Sequence, residues 1–385
     1  MKSNYRALSE LIEKVDERND DGAITELIGV SIDKCFIKSV ANTNGTDLSK
    51  YKIIRKNEFA VSLMQVSRDS KIPVARLEDY EVAIMSPAYP IFRVKDTRKI
   101  LPEYLDMWFK RPEFDREAAF IAVGGVRGSM PWEEFVKMKL PVPTIEKQLE
   151  IVNSYKAITE RIALKQKIND NLANTEQLVL YQAISKNQTI PLSLNEIAEF
   201  VDGDRGKNYP TFDEFSTSGF CLFLNASNVT SSGFNFDSCM FVTEEKDKIM
   251  RNGHLLLNDI VFTSRGTLGN VALYDKNIKY KNVRINSGML IIRPKGINLS
   301  PYFIYALLKS NYMKSAIEQF RSGSAQPQLP IKDLQNITFD IPESQNVLDD
   351  LEHRFFEIEE TISINKREIG NLSELASILL ARLSR

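Results

Sequence analysis

Histidine is nearly missing from this 385-residue chain, with His254 and His353 its only examples. A histidine-built zinc centre or a Ser-His-Asp relay is thereby close to excluded. Cysteine is scarce too. Cys35, Cys221 and Cys239 are odd in number and lack CxxC spacing, so they read as reduced, incidental residues of a cytoplasmic protein. No long apolar run occurs. The longest stretches, such as residues 255–257 and 289–292, have the length of strands, and no membrane span is expected. The polar start, MKSNYRALSELIEKVDERND, does not read as a signal peptide. Neither sign of charge dominates, since 50 basic and 51 acidic residues leave a net −1. Any phosphate-binding face must therefore be local, with much of the electrostatic work left to partners. Only residues 343–385 depart from this balance, with nine acidic against five basic side chains.

A hydrophobic content of 43% and a charged content of 26% describe an ordinary soluble chain, long enough for two or three cores. Its most informative property is duplication. YLDMWFKRPEF from Tyr104, and then GGVRGSMPWEEFVKMKLPVP, run parallel to YFIYALLKSNY from Tyr302, and then RSGSAQPQLPIKDLQNITFDIP. Phe135, Met138, Leu140 and Val142 fall in step with Leu334, Ile337, Phe339 and Ile341, about 200 residues apart. Asn57-Glu58-Phe59 likewise matches Asn258-Asp259-Ile260. Solenoid repeats run on the order of 20–50 residues. Two copies of a whole domain-plus-helix unit are implied.

The expected organisation has four parts: globular units at 1–145 and 187–342, and helices at 146–186 and 343–385. Strand-like runs occur at 26–30, 58–64, 82–85 and 91–94, and again at 220–224, 259–264, 271–274 and 289–293. Residues 192–201 read as an amphipathic helix. The two connectors carry no Gly or Pro except Gly370 over 146–184 and 344–383, which predicts long helices. In the second, Leu348, Leu351, Phe355, Ile358, Ile362, Asn365, Ile369, Leu372, Ala376, Leu379 and Leu383 alternate by three and four, with Asn365 the polar position. Ile158, Ile162 and Leu172 hold matching places in the first. Antiparallel pairing of the two helices is expected, Asn365 fixing the register.

Six segments offer side chains for a nucleic acid. Asp202-Gly203-Asp204-Arg205-Gly206-Lys207-Asn208-Tyr209 combines close-approach glycines with donors for phosphates and base edges. Arg265 and Thr267 sit in a small-residue turn, with Arg68 and Lys71 in the counterpart segment. The strip Lys279 to Arg284 would, as a strand, place Lys279, Lys281 and Val283 on one face. Gly124 to Ser129 and Arg321 to Gln326 hold equivalent places, but neither has a GxxxxGK[ST] or a dinucleotide fingerprint. Ser86-Pro87-Ala88-Tyr89 approaches a methyltransferase tetrapeptide, lacks its second proline, and reads better as a strand-entry turn.

Taken together, EFVDGDRGKNYP, NDIVFTSRGTLGNVALY, GSAQPQLP and the IP endings before each helix resemble the specificity subunits of type I restriction–modification systems. The resemblance covers essentially the whole chain and is sharper in the second half. It implies an α+β fold with two pseudo-symmetric target recognition domains of mixed short strands and helices, separated by a long antiparallel coiled coil. Each domain would read one half of a split double-stranded DNA target. Two methyltransferase subunits would dock, and restriction endonuclease/translocase subunits would join through them. The chain itself would be non-catalytic and without metal or cofactor, with S-adenosylmethionine, ATP and Mg held by the partners. Base-reading candidates are Gln65, Arg68, Lys71, Tyr89, Arg127 and Ser129 in the first domain. In the second they are Arg205, Lys207, Asn208, Tyr209, Arg265, Thr267, Arg284, Arg321, Ser322 and Gln326. The competing readings are a self-sufficient DNA methyltransferase or nuclease, and a coiled-coil adaptor that never reads DNA.

Overall fold

The computed structural model describes residues 4–39, 46–64, 66–123, 128–295, 299–320 and 328–383. The chain divides into two units, one of residues 1–164 with 370–385 and the other of residues 165–369.

The first unit is built on a four-stranded antiparallel sheet of β1 (Ile12–Val15), β2 (Phe59–Val61), β3 (Val74–Arg76) and β4 (Ile91–Val94), in the order β1-β4-β2-β3. One face is covered by α1 (Pro102–Phe109) and α2 (Pro112–Ala122), each opened by a proline in its first turn, where a missing N–H costs nothing. The core is aromatic. Phe59 and Phe92 stack at 5.2 Å, and Phe109 meets both rings edge-on.

The second unit repeats this scaffold with β5 (Ala198–Asp202), β6 (Ile260–Thr263), β7 (Val271–Leu273) and β8 (Met289–Pro294), again antiparallel and ordered β5-β8-β6-β7. Helices α3 (Pro301–Lys309) and α4 (Asn311–Phe320) follow, and the Ser300 hydroxyl caps α3 by accepting from the Phe303 N–H at 3.1 Å. The duplication extends to backbone conformation. Asn57 and Asn258, just before β2 and β6, both take positive φ, 67° and 72°, a conformation asparagine tolerates better than most residues. The next residue closes each turn: Glu58 accepts from the Arg55 N–H, and Asp259 from the Leu256 N–H.

Residues 192–201 form no helix of their own. Thr189–Ser193 is a strand, a single turn follows at Leu194–Ile197, and β5 takes the rest. The ladder to β8 supplies non-local backbone hydrogen bonds that a short amphipathic pattern cannot announce. Outside the shared sheet the halves diverge. Lys52–Arg55 pairs antiparallel with Val82–Met85, whereas Cys221–Leu224 runs parallel to Val283–Ile285 and antiparallel to Phe241–Val242.

Two long helices complete both units, Ile145–Lys186 with 42 residues and Gln345–Arg382 with 38. In the first unit Val152 shares a core with Leu380 and Leu383. In the second, Leu180 packs with Leu348, Leu351 and Phe355. Within the second unit Leu180 meets residues 348–355 while Lys165 and Asn169 meet Asn365, so the two helices run antiparallel there. Of the expected seam, Ile362 and Asn365 are buried, and Ile158, Ile162, Leu172, Ile358 and Leu372 are half-buried. Asn365 donates to the Asn169 side-chain oxygen at 2.8 Å and accepts from Lys165 at 2.9 Å. Its polarity is thus answered inside the seam, which disfavours a shifted register.

Candidate nucleic-acid interface

Antiparallel pairing gathers loops that are far apart in sequence. In the second unit Asp202 at the end of β5 faces Leu290, Thr263 at the end of β6 faces Met289, and Phe262 faces Val271 at the start of β7. Loops 203–209, 264–270 and 286–288 therefore leave one end of the sheet. Gly203 lies against the next of these loops, and a Cβ there would stand 2.3 Å from the Asn286 carbonyl oxygen. Only glycine allows that approach.

The Asp204 carboxylate organises this edge from within. It is buried, accepts from the Gly206 and Arg251 N–H groups at 2.8 Å each, and is held below its ordinary pKa by those two bonds. Asn208 donates to the Ile249 carbonyl, and the Tyr209 ring meets Phe223 edge-on at 5.6 Å. Both contacts anchor the loop. Arg205 and Lys207 stay exposed, although Arg205 also bonds Asp202 and the Ser287 carbonyl. Exposed Arg265 and Thr267 rise beside them. Gly266 and Gly269 turn this loop at positive φ, and the Arg265 backbone bridges to Gln328.

The first unit presents the equivalent end. Val15 and Ala60 both face Ile91, and Val61 faces Val74, so loops 62–73 and 86–90 emerge there. Arg68 and Lys71 are exposed on the first loop, with Arg68 paired to Asp69 at 2.7 Å. Tyr89 is half-buried on the second, and its carbonyl accepts from Lys52. Ser129 joins this edge through its neighbours: the Met130 N–H donates to the Leu63 carbonyl, and a Cβ at Gly128 would meet the Ser67 hydroxyl oxygen at 2.4 Å. Gln65, Arg127, Arg321, Ser322 and Gln326 lie outside the described residues.

Arg284 requires a correction. The strip 279–284 is not one strand, because the strand begins at Val283 and runs parallel to Cys221–Leu224. Its guanidinium points inward, bonded to the Asp247 carboxylate at 2.5 Å, the Asp247 carbonyl at 2.9 Å and the Asn252 carbonyl at 2.8 Å. Burial pushes the Asp247 pKa up, but hydrogen bonds from Arg284 and Cys221 and the Arg284 charge together outweigh it and leave it below the ordinary value. Arg284 braces the second unit from within and is not free to read a base. The sequence reading also passed over Phe212, which is 90% exposed in the segment after Tyr209 and Pro210. A lone aromatic in a short polar stretch carries no periodic signal.

Residues 191–369 match the family described as "Type I restriction modification DNA specificity domain". No curated protein matches the chain closely enough to count as a relative. Among solved structures, the S subunit of a type I restriction-modification system from M. genitalium aligns with a TM-score of 0.63 and 17% identity, over 99% of this chain and 96% of that one. A structure described as showing complex assembly and conformational transition of the type I R-M system aligns at 0.43 and 16%, over 100% and 98%. The HsdS subunit from Thermoanaerobacter tengcongensis aligns at 0.36 and 15%, over 100% and 97%. Residues 191–369 thus match the type I restriction modification DNA specificity domain, and the chain as a whole shares its fold with the M. genitalium S subunit.

Proposed function

We propose that the chain reads a bipartite double-stranded DNA target, one half-site at the loop edge of each unit. The observation that carries this reading is the repetition of one edge on one strand order. A duplicated reader suits a target with two spaced parts. Arg205, Lys207, Arg265, Thr267 and Phe212 would form the second reading edge, with Arg68, Lys71, Tyr89 and Ser129 in the first. Asn208 and Tyr209 hold the second edge in shape. The paired long helices set the number of unread base pairs and dock two methyltransferase subunits, through which restriction endonuclease/translocase subunits join. Catalysis, together with S-adenosylmethionine, ATP and Mg, belongs to those partners in the cytoplasm, and methylation takes place on a base flipped into a partner pocket.

The test is a gel-shift series on DNA libraries with the methyltransferase partner present, alongside methyl transfer by the chain alone. A complex that depends on two separated sequence blocks is expected, with no transfer by the lone chain. Single-chain methylation would instead point to a self-sufficient enzyme, and indifference to sequence to an adaptor.

A further inference from the structure

The second unit holds a buried charge cluster that DNA reading does not use. Glu176 on the first long helix is fully buried, with one carboxylate oxygen on Lys309 at 2.6 Å. Lys309 ends α3 and also pairs with Glu359 on the second long helix, which is itself buried. Two carboxylates from two helices thus converge on one ammonium from the recognition module. Among the described residues, the second oxygen of Glu176 has no hydrogen-bond partner at all. A buried, unpaired carboxylate oxygen is costly, and a proton on it removes much of that cost.

We propose that Glu176, Lys309 and Glu359 form the seat that orients the second recognition module on the helical pair, and that one proton held between the two carboxylates keeps the seat closed. This deepens the half-site reading above by giving it a regulator.

Every facing element contributes. On the first helix, Gln177 donates to the Ala306 carbonyl at 3.1 Å. On α3 the Lys309 ammonium lies 4.2 Å from the Tyr305 ring centroid. From the second helix, Lys366 donates to the Ser232 carbonyl, while Glu360 meets Lys276 at 3.2 Å and Asn277 at 3.3 Å. Asp275 adds a further negative charge near Tyr305 and Lys366. Burial, opposed by Lys309 and reinforced by Glu359, pushes Glu176 up to about 7. Burial also works to lower Lys309, but Glu359, Tyr305 and Glu176 outweigh it and raise it. The ammonium therefore stays charged while the carboxyl pair titrates. Because the folded-state value of Glu176 lies above its ordinary one, the closed seat binds the extra proton between the two. Its stability is complete at acid pH and is lost as pH rises towards about 7.

Amide hydrogen exchange on the full-length chain without DNA tests this, reading α3 from pH 5 to 8.5 with intrinsic rates divided out. Protection of α3 should fall by about tenfold per pH unit up to neutrality and level off above it, the linkage slope for one proton. Glu176→Gln should remove that slope, and Glu359→Gln should move the break to lower pH. Lys309→Met should move the break to higher pH. A merely structural cluster would lower protection equally at every pH. Parallel wild-type and Glu176→Gln profiles would overturn the proposal, and so would a wild-type profile with no break, which needs no variant to fold. The measurement involves no DNA, so its failure stays separate from failure of the half-site reading.

Discussion

Two arginines of the second unit show how differently one residue type is used. Arg205 lies on an exposed loop, and Arg284 is buried on Asp247. Arg205→Ala should leave unfolding in urea within about 0.5 kcal/mol of wild type. It should weaken reading of one half-site by about 1–3 kcal/mol if the contact is bidentate to guanine, as measured by methylation of half-site variants. Equal loss at both half-sites would contradict the division of labour. Arg284→Met should behave in the opposite way, costing about 3–5 kcal/mol of stability because Asp247 is left buried and unpaired. Denaturant titration distinguishes the two variants. Phe212→Ala should likewise spare stability while lowering affinity for target DNA, since so exposed a ring has few internal contacts to lose.

Elements differ in how far local pattern announces them. The long helices were expected at 146–184 and 344–383 and occur at Ile145–Lys186 and Gln345–Arg382. Their seam was legible because helical periodicity is written every three or four residues. Strands 82–85 and 91–94 were legible for a similar reason, being short apolar runs bounded by turns. Residues 192–201 misled because a strand–turn–strand with apolar spacing imitates an amphipathic helix, and its partner strand lies about 90 residues away. The candidate edge was legible only as separate loops. Asn365 belongs to this level as well. Asn365→Ala should destabilise the helix pair by about 1–3 kcal/mol, leaving the Asn169 side-chain oxygen without this donor and Lys165 with Glu368 alone. A double-mutant cycle with Asn169→Ala should return a coupling of about 0.5–3 kcal/mol, and simple additivity would argue against the seam bond.

For the molecule as a whole, the proposed function makes the helices a gauge. Matched insertion of one heptad in each helix adds about 10.5 Å at 1.5 Å per residue, roughly three base pairs at 3.4 Å each. Sequencing of methylated sites should then show the two blocks moved apart by about three base pairs, and an unchanged gap would refute the gauge. The duplication itself came from the sequence alone, because two copies of one plan must repeat their apolar spacing, their turn asparagines and their helix-breaking prolines. Chain distance hid the rest. Residues 203, 265 and 286 become neighbours only when antiparallel strands bring their ends together, and Glu176 meets Lys309 and Glu359 only after the helices pair. Burial and charge pairing between such distant residues decide which arginine faces outward and which carboxylate keeps a proton, and neither is written in any local stretch of the chain.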